Sequence, residues 1–432
     1  MEHQYKSRYH ELWRIFAWIA YSKQASLAIA DQAVISLSSL LLSVVIARIA
    51  GLELLGSVGF VLILSVFGGV ILASLISSPG MVLFGSMNED AERYRGFLFL
   101  AAIVLGAVSA VVLSFVYAIY RLRTGAAASN GEMLVVAIFF SIVPAQDTLR
   151  RAAFARARPW AGLRLSFVRN LPPPIALLCM HRMAHSIELL DVVGILVLAN
   201  IASVAADLMF DHLRLPDRHF SVTAWLRHWQ MSRWLLLSSV FNSGYEQTFT
   251  FATGIVFGDR AVAAIRISQQ IFGLLVAGMQ TFENTIPRQL ALAAEEGERS
   301  YVRLVNLIAV VVFVGVIVSG SILWWFGNEL IQFFLNVDYT QYSDLLLFWA
   351  IATALSGARS IYAMAFRATR NTKPIFLADA FAFLMGALIV VPALQRFGIF
   401  GSGVGMLVTN LAGLVVLMTL IRRNSHQIRE QA

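Results

Sequence analysis

The sequence predicts an all-α membrane protein with about twelve transmembrane helices, arranged as two six-helix bundles of the same orientation, with both termini in the cytoplasm. Three observations support this expectation: the composition, the length of the apolar runs and an internal repeat. Of the 432 residues, 58% are hydrophobic and only 13% are charged, whereas a soluble domain carries about a quarter charged residues. No polar tract is long enough to form a separate soluble domain.

The apolar runs have the length of membrane-spanning helices. A run of about 18 residues or more crosses the hydrocarbon core as a helix, and none of these runs alternates polar and apolar residues as the strands of a membrane barrel do. Twelve spans are predicted, at approximately 31–50, 57–78, 97–120, 133–149, 165–181, 187–209, 234–257, 262–285, 303–326, 345–366, 374–394 and 399–421.

The distribution of Lys and Arg predicts the orientation. Most of these residues lie on one side, in segments such as RRAAFARARPWAGLR, FRATRNTKP and RRNSHQIRE. Because the positive side faces the cytoplasm, both termini are predicted to be inside. Residues 1–30 include ELWRIFAWIAYS, which has apolar residues at helical spacing beside tryptophans. This segment is predicted to lie as an amphipathic helix on the cytoplasmic face, with a solvated tail as the alternative.

Two pairs of motifs indicate a repeat of six spans. Gly51 and Pro79 in IAGLELLGSVGF…SSPGMVL match Gly258 and Pro287 in VFGDRAVAAIRI…NTIPRQL, and AFARARP after the fourth span matches AFRATRNTKP after the tenth. Six is an even number, so the halves are related by an axis along the membrane normal, and a substrate site is expected between them. The predicted organisation is a cytoplasmic segment 1–30, a bundle 31–210, a linker 211–233, a bundle 234–421 and a cytoplasmic tail 422–432.

The composition argues against several functional classes. The single cysteine, Cys179, excludes an internal disulfide framework and disfavours a cysteine metal site. The net charge of +8 is dispersed among short loops, so membrane topology explains it better than nucleic-acid binding. The sequence shows no metal-ligand cluster, Ser/His/Asp arrangement or phosphate-cradling glycine loop. No metal, cofactor or catalytic residue is predicted.

Ionisable residues within the spans are the candidate functional residues, because such groups are costly in a membrane. A guanidinium fork suits the oxygens of a phosphate, and four arginines are predicted to line a wet cavity and bind substrate: Arg48, Arg169, Arg266 and Arg359. Four carboxylates are predicted to pair with them or to bind a coupling cation: Asp31, Glu246, Glu283 and Asp379. Structural salt bridges between helices are the alternative. Asp31 and Arg48, about 25 Å apart along the first span, are predicted to mark the two mouths of one cavity wall.

The fifth span contains three consecutive prolines, in RNLPPPIALL. They remove three backbone donors and break the helical hydrogen-bond ladder. Two interpretations remain open here. The span is either kinked beside Arg169, or a helix begins at Pro172, since proline suits the first helical turn.

Three stretches carry a resemblance to a known family: SVVIARIAGLELLGSVGFV, YAMAFRATRNTKP and VPALQRFGIFGSGVGMLVTN. They resemble the polysaccharide transporters, or O-antigen flippases, of the MOP flippase superfamily, which also includes multidrug and toxin extrusion (MATE) transporters and the lipid II flippase. The resemblance implies a MATE/MOP-like fold and a flippase in the bacterial cytoplasmic membrane. Such a protein moves a lipid-linked oligosaccharide, usually on undecaprenyl pyrophosphate, by alternating access. The implied partners are that substrate, membrane lipid and other polysaccharide-assembly proteins.

Two other functions stay open at this point. A cation-coupled multidrug exporter of the same fold is the main alternative, and an integral-membrane polymerase or ligase is a more distant one, because it typically needs a large outside loop. The charge of the cavity distinguishes the flippase from the multidrug exporter. A net-basic lining suits an anionic lipid-linked sugar, and a net-acidic lining suits cationic drugs.

Overall fold

The computed structural model describes residues 23–84, 90–125, 128–156, 158–183, 186–211, 213–295, 298–335, 339–368 and 373–431. The predicted amphipathic helix of the N-terminal segment falls on residues 1–22, outside this part of the chain. Within the described ranges nearly every residue is helical and no strand occurs. The predicted all-α fold is therefore confirmed.

Fourteen α-helices make up the described chain. They are α1 (Lys23–Leu72), α2 (Ser78–Leu83), α3 (Ala91–Arg123), α4 (Asn130–Ala155), α5 (Pro159–Asn170), α6 (Pro172–Arg182), α7 (Leu189–Phe210), α8 (Arg218–Phe257), α9 (Asp259–Glu295), α10 (Glu298–Trp325), α11 (Gly327–Leu335), α12 (Ser343–Ala368), α13 (Lys373–Phe397) and α14 (Phe400–Gln431). A π-helical stretch, Ala73–Ser77, joins α1 to α2, and a 3₁₀ turn, Thr340–Tyr342, precedes α12.

Eight helical segments in the described ranges are long and apolar enough to cross a membrane, which makes this a multi-pass membrane protein. They are Ser26–Met81, Ala91–Arg123, Asn130–Ala155, Leu189–Phe210, Tyr301–Trp325, Thr340–Phe366, Lys373–Phe397 and Phe400–Arg423. The first has 56 residues, which at 1.5 Å per residue is enough for two crossings. The count of twelve spans, the domain boundaries and the cytoplasmic position of the termini stay predictions.

Gly51 divides the long helix α1 between the first two predicted spans. Its backbone dihedral angles are φ 82° and ψ 179°, and those of Gly258, between α8 and α9, are φ 77° and ψ −168°. This backbone conformation is essentially restricted to glycine. The two glycines that suggest the repeat in the sequence therefore make the same turn, 207 positions apart.

A second pair of residues follows the same repeat. The side-chain amide of Asn200 in α7 donates to the carbonyl of Leu196 at 2.7 Å, and that of Asn410 in α14 donates to the carbonyl of Met406 at 2.9 Å. Both bonds run one helical turn back along the chain, and the two asparagines are 210 positions apart. This spacing is close to that of the glycines, so the last predicted span of each half also corresponds.

The three prolines divide the fifth predicted span into two short helices. Helix α5 ends at Asn170 and α6 begins at Pro172, with Leu171 between them in a helical conformation. Proline occupies the first positions of α6, where a missing backbone donor is tolerated. The structure therefore shows a helix that begins at Pro172.

The N-terminal half (α1–α7) and the C-terminal half (α8–α14) meet mainly where α1 packs against α9. A methyl group on Gly56 would lie 1.9 Å from the carbonyl oxygen of Asp259, so only glycine permits this approach. The Asp259 carboxylate accepts a 2.7 Å bond from Ser57 and another from Tyr120. These contacts lie at the end of the molecule that carries Gly51 and Gly258, which we call the glycine end and which is predicted to face outside.

Candidate functional site

The C-terminal half contains a cavity of about 560 Å³, which we call the large cavity. Its volume is in the range of small-molecule binding sites. Helix α1 contributes Val70 to the wall, and the C-terminal half contributes Ser238, Ser239, Asn242, Tyr245, Gln247, Gln269, Val276, Met279, Trp349, Ala352, Thr353, Ser356, Arg359, Ser360, Ala363, Ile375, Asp379, Met406, Asn410 and Leu417.

Arg359 is the central charged residue of the large cavity. Its guanidinium donates to Asp379 and lies over the ring of Tyr245, 4.5 Å from the ring centroid. Asp379 also accepts a 2.9 Å bond from Ser238. Gly413 leaves the room for this arrangement, because a methyl group there would lie 2.7 Å from the Arg359 Nε atom. The predicted residues Arg359 and Asp379 are thus brought together in one cavity wall.

A smaller cavity of about 200 Å³ lies in the N-terminal half, which we call the small cavity. Polar groups from α1, α4 and α5 line it together with apolar residues. Val70 belongs to the walls of both cavities, so the two adjoin. The lining residues are Ser65, Val66, Gly69, Val70, Leu72, Ala73, Ser77, Val143, Pro144, Asp147, Thr148, Arg151 and Arg169.

Asp31 is buried beside the small cavity, with 3% of its surface exposed. It accepts a 2.5 Å bond from Arg150 and another from Ser166. Arg150 also donates to Asp147 at 2.9 Å, and Arg151 donates to the same carboxylate at 2.6 Å. Two neighbouring arginines of α4 therefore hold one buried and one half-buried carboxylate.

Arg169 lines the small cavity without a carboxylate partner. Its guanidinium donates to the Oε1 atom of Gln146 at 2.6 Å, and Gln146 in turn donates to Ser203 at 3.2 Å. No Asp or Glu of the described chain lies within 4 Å of this guanidinium. The guanidinium is therefore bonded to a neutral amide and makes no direct ion pair within the described chain.

Arg266 lies between the two halves and has no polar partner in the described ranges. Its side chain packs beside Gly59 of α1, since a methyl group on that glycine would lie 3.6 Å from the Arg266 Cγ atom. The Nε atom is buried without a hydrogen bond. Arg266 lies one helical turn from Gln269, which lines the large cavity. Among the described residues, therefore, no carboxylate supplies a counter-charge to this guanidinium.

The other predicted residues lie elsewhere. Arg48 is exposed and donates to the carbonyl of Phe333 near the end of α11, so its predicted part in substrate binding stays a prediction. Asp31 and Arg48 contact different partners, and neither lines the two cavities described above; that they mark the two mouths of one cavity wall stays a prediction. The side chains of Glu246 and Glu283 lie outside the described part of the structure.

Sequence reasoning missed Arg150 and Arg151 because they fall just beyond the predicted fourth span. Helix α4 instead continues to Ala155, so Arg150 and Arg151 lie within this helix, and Arg151 lines the small cavity. Their spacing from Asp147, three and four positions, is that of ion pairs on one helix face, and this signal was present in the sequence. Trp349 and Gln247 carried no comparable signal.

The described charges around the two cavities are net positive. Three lining arginines face two lining aspartates, an excess of one positive charge: Arg151, Arg169 and Arg359 against Asp147 and Asp379. Each of these two carboxylates is bonded to an arginine. A lining of this kind attracts anions and offers little to a cation.

The helices and the two related halves form the fold of a multi-pass membrane protein. More particularly, it is the fold of the MOP superfamily, as solved structures show. A multidrug resistance MATE family transporter of the MOP superfamily, inward-facing, matches with a TM-score of 0.69 and 11% identity over 96% of this chain and 97% of that one. The lipid II flippase MurJ, inward closed, matches with a TM-score of 0.69 and 13% identity over 93% and 89%.

A third similar structure is a MOP superfamily transporter from Pyrococcus furiosus, described as having a binding pocket of reverse polarity. It matches with a TM-score of 0.62 and 12% identity over 95% of this chain and 98% of that one. No protein-family model and no curated protein sequence matches the chain. At these identities the similarity shows the fold, and the substrate has to be argued from the site.

Proposed function

We propose that this protein is a flippase that moves a lipid-linked oligosaccharide of the undecaprenyl-pyrophosphate type across the bacterial cytoplasmic membrane. The observation that carries the proposal is Arg266, a half-buried guanidinium between the halves, whose Nε atom is buried and which has no partner in the described chain. A charge partly withdrawn from water without a partner is costly, and a substrate phosphate would supply the missing counter-charge. Arg169, which donates to Gln146 and to no described carboxylate, adds a second guanidinium from the N-terminal half.

The charge of the cavities favours this function over a multidrug exporter. A free carboxylate would favour a lipophilic cation, but Asp147 and Asp379, the described carboxylates of the two linings, are bonded to arginines. The known proteins of this fold include both a multidrug transporter and a lipid II flippase. The fold alone therefore leaves both functions open, and the net-positive lining supports the flippase.

The arrangement of the halves suits alternating access. They touch at the glycine end through Gly56, Ser57 and Asp259, and Val70, further along α1, lines both cavities. Rocking one half against the other would separate these contacts and expose the site on the predicted outside. Transport of this kind involves no covalent step, so the protein is proposed to be a transporter and not an enzyme.

The proposal is tested with purified protein in liposomes that contain a fluorescent prenyl-pyrophosphate glycolipid. Reduction of the dye by external dithionite reports how much glycolipid reaches the outer leaflet. Arg266→Ala is expected to slow translocation about 10- to 150-fold, since a hydrogen bond to a charged group contributes about 1.5–3 kcal/mol. Arg123→Ala, an exposed arginine at the end of α3, serves as the control and should translocate normally.

Two results would contradict the proposal. One is translocation by Arg266→Ala at the rate of the unmodified protein. The other is proton- or sodium-driven transport of a cationic dye such as ethidium by liposomes that fail to move the glycolipid, which would identify the protein as a cation exporter.

A further inference from the structure

Helix α5 carries an apolar stripe that faces away from the rest of the protein and contains one arginine. The exposed fractions of Trp160, Phe167 and Leu171 are 62%, 42% and 37%. Arg164 lies four positions after the first of them and three before the second, so all four residues share one helix face. In a membrane protein an exposed apolar stripe of this kind lies against lipid. Arg164 therefore presents a guanidinium at the lipid-facing surface, and it is not part of the lining of either cavity.

The stripe begins at an edge of the membrane. Helix α5 starts at Pro159, and α7 ends beside it at Phe210, next to segments that are predicted to be cytoplasmic. Tryptophan is enriched at the level of the lipid headgroups, which suits Trp160 in the first turn of α5. Arg164 lies one turn, about 6 Å, further along the helix. Its long side chain is able to extend back toward the headgroups, so the guanidinium is within reach of lipid phosphates.

The terminal nitrogens of Arg164 make no hydrogen bond within the described chain and are not buried. They therefore face the surroundings of the protein, whereas the Nε atom is shielded. The guanidinium lies over the ring of Phe210, 4.3 Å from the ring centroid, which fixes its position. It also interacts electrostatically with buried Asp207, but that carboxylate is bonded to Arg95. The outward side of the guanidinium is thus open to an external acceptor.

The charged network behind Arg164 leaves this arginine in excess. Three carboxylates and three other arginines of α3, α4, α7 and the segments next to them bond to one another at this edge of the N-terminal half: Glu92, Asp207 and Asp211 with Arg95, Arg156 and Arg158. Arg164 is the fourth arginine, and each of the three carboxylates already has an arginine partner. The site therefore has a net positive charge and attracts an anion.

We propose that Arg164 binds the phosphate of an anionic phospholipid in the leaflet that meets this edge, which is predicted to be the cytoplasmic leaflet. A guanidinium donates paired hydrogen bonds to phosphate oxygens, and the apolar side chains of the stripe pack along the acyl chains. Those side chains favour a lipid over free phosphate, because a free ion would leave Phe167 and Leu171 uncovered. A zwitterionic headgroup brings its own ammonium, which competes for the phosphate, so an anionic headgroup binds better. The site does not depend on the proposed flippase function.

The test titrates the full-length protein in detergent micelles with phosphatidylglycerol or phosphatidylcholine, and native mass spectrometry counts the bound lipids. The unmodified protein is expected to bind its first phosphatidylglycerol about tenfold more tightly than phosphatidylcholine, as one hydrogen bond to a charged group allows. Arg164→Gln should lose most of this preference and keep its affinity for phosphatidylcholine. Phe210→Leu removes the ring under the guanidinium at an exposed position, so the variant should fold and lose about two- to fivefold of the preference.

Arg396→Gln is the matched control, because Arg396 also lies over an aromatic ring, that of Phe397 at the end of α13. This variant should keep the tenfold preference, and an equal loss there would assign the preference to net charge and overturn the site. Equal affinity of the unmodified protein for the two lipids overturns it as well, as does a preference that survives in both Arg164→Gln and Phe210→Leu. Displacement of bound phosphatidylglycerol by inorganic phosphate would identify a free-ion site and overturn the lipid assignment.

Discussion

Asp31 and Asp379 are buried carboxylates, one in each half, and each accepts hydrogen bonds from one arginine and one serine. Asp31 lies in α1 and its serine, Ser166, lies in α5. Asp379 lies in α13 and its serine, Ser238, lies in α8. The repeat relates α1 to α8 and α5 to α13, so the carboxylate and the hydroxyl have exchanged helices. Each half therefore ties three of its helices together with one buried charge, as expected of units that move as rigid bodies.

The pairing of Arg150 with Asp31 is expected to contribute strongly to stability. Arg150→Met removes the one described cation within 4 Å of this carboxylate, and loss of one member of a buried pair costs about 3–5 kcal/mol. Arg151→Met is the matched control, because Arg151 is 38% exposed and Asp147 keeps Arg150; it should cost about 1 kcal/mol or less. Unfolding free energies of the purified variants measure both, and equal losses would contradict the prediction.

Replacing Gly51 or Gly258 with any residue that has a side chain is expected to destabilise the protein. Nothing lies within 4 Å of a Cβ atom at either position, so the cost of alanine is purely backbone strain, about 1–3 kcal/mol at each site. Gly315→Ala is the control. It lies inside helix α10 with equally open surroundings, and alanine there should be neutral or stabilising by up to about 1 kcal/mol. Thermal unfolding midpoints give the comparison, and a fall for Gly315→Ala as large as for Gly258→Ala would argue against strain.

Gly56→Ala is expected to separate the halves at the glycine end. Its methyl group would lie 1.9 Å from the Asp259 carbonyl, whereas a methyl group on Gly59, one turn along the same helix, has its nearest neighbour at 3.6 Å. Spin labels at Glu53→Cys and Arg260→Cys, which replace a 2.8 Å surface ion pair, report the separation once Cys179 is changed to serine. The distance distribution should shift to longer values in Gly56→Ala and stay unchanged in Gly59→Ala. An unchanged distribution in both would refute this prediction.

His228, on the part of α8 predicted to lie outside the membrane, is expected to make stability depend on pH. Burial lowers the pKa of this imidazole below its ordinary value of 6.5, while the carbonyl of Leu75 opposes the shift. The unfolded chain therefore takes up a proton that the native protein does not, and stability is full above about pH 7.5 and falls as the pH drops below about 6.5. His228→Gln should reduce the slope of unfolding free energy between pH 5 and 7, and exposed His219→Gln should leave it unchanged. Equal slopes in all three proteins would exclude His228 as the cause.

The helices could be predicted from the sequence because every span must be long enough and apolar enough to cross the lipid. Hydropathy and the two glycines were enough to predict an all-helical fold with two related halves. The short helix α11 (Gly327–Leu335) was not predicted, since nine residues are too few for a span and too apolar for a typical loop. Helix periodicity also reveals which face of a helix is polar but not which distant helix that face meets.

The candidate site shows this limit clearly. Intramembrane charge alone singled out Arg359, Asp379, Arg169 and Arg266, and the structure places all four at the cavities or at the interface of the halves. The partners were not predictable, because they come from residues far apart in the chain, as with Arg150 and Asp31. Neutral side chains such as Trp349 gave no signal, since an indole within an apolar run looks like any other packing residue.

Val70 forms part of the wall of both cavities, so a substrate that occupied both would contact this side chain. The volume of residue 70 would then limit which headgroups can extend from one cavity to the other. Tryptophan at this position would leave less room between the cavities, and alanine would leave more.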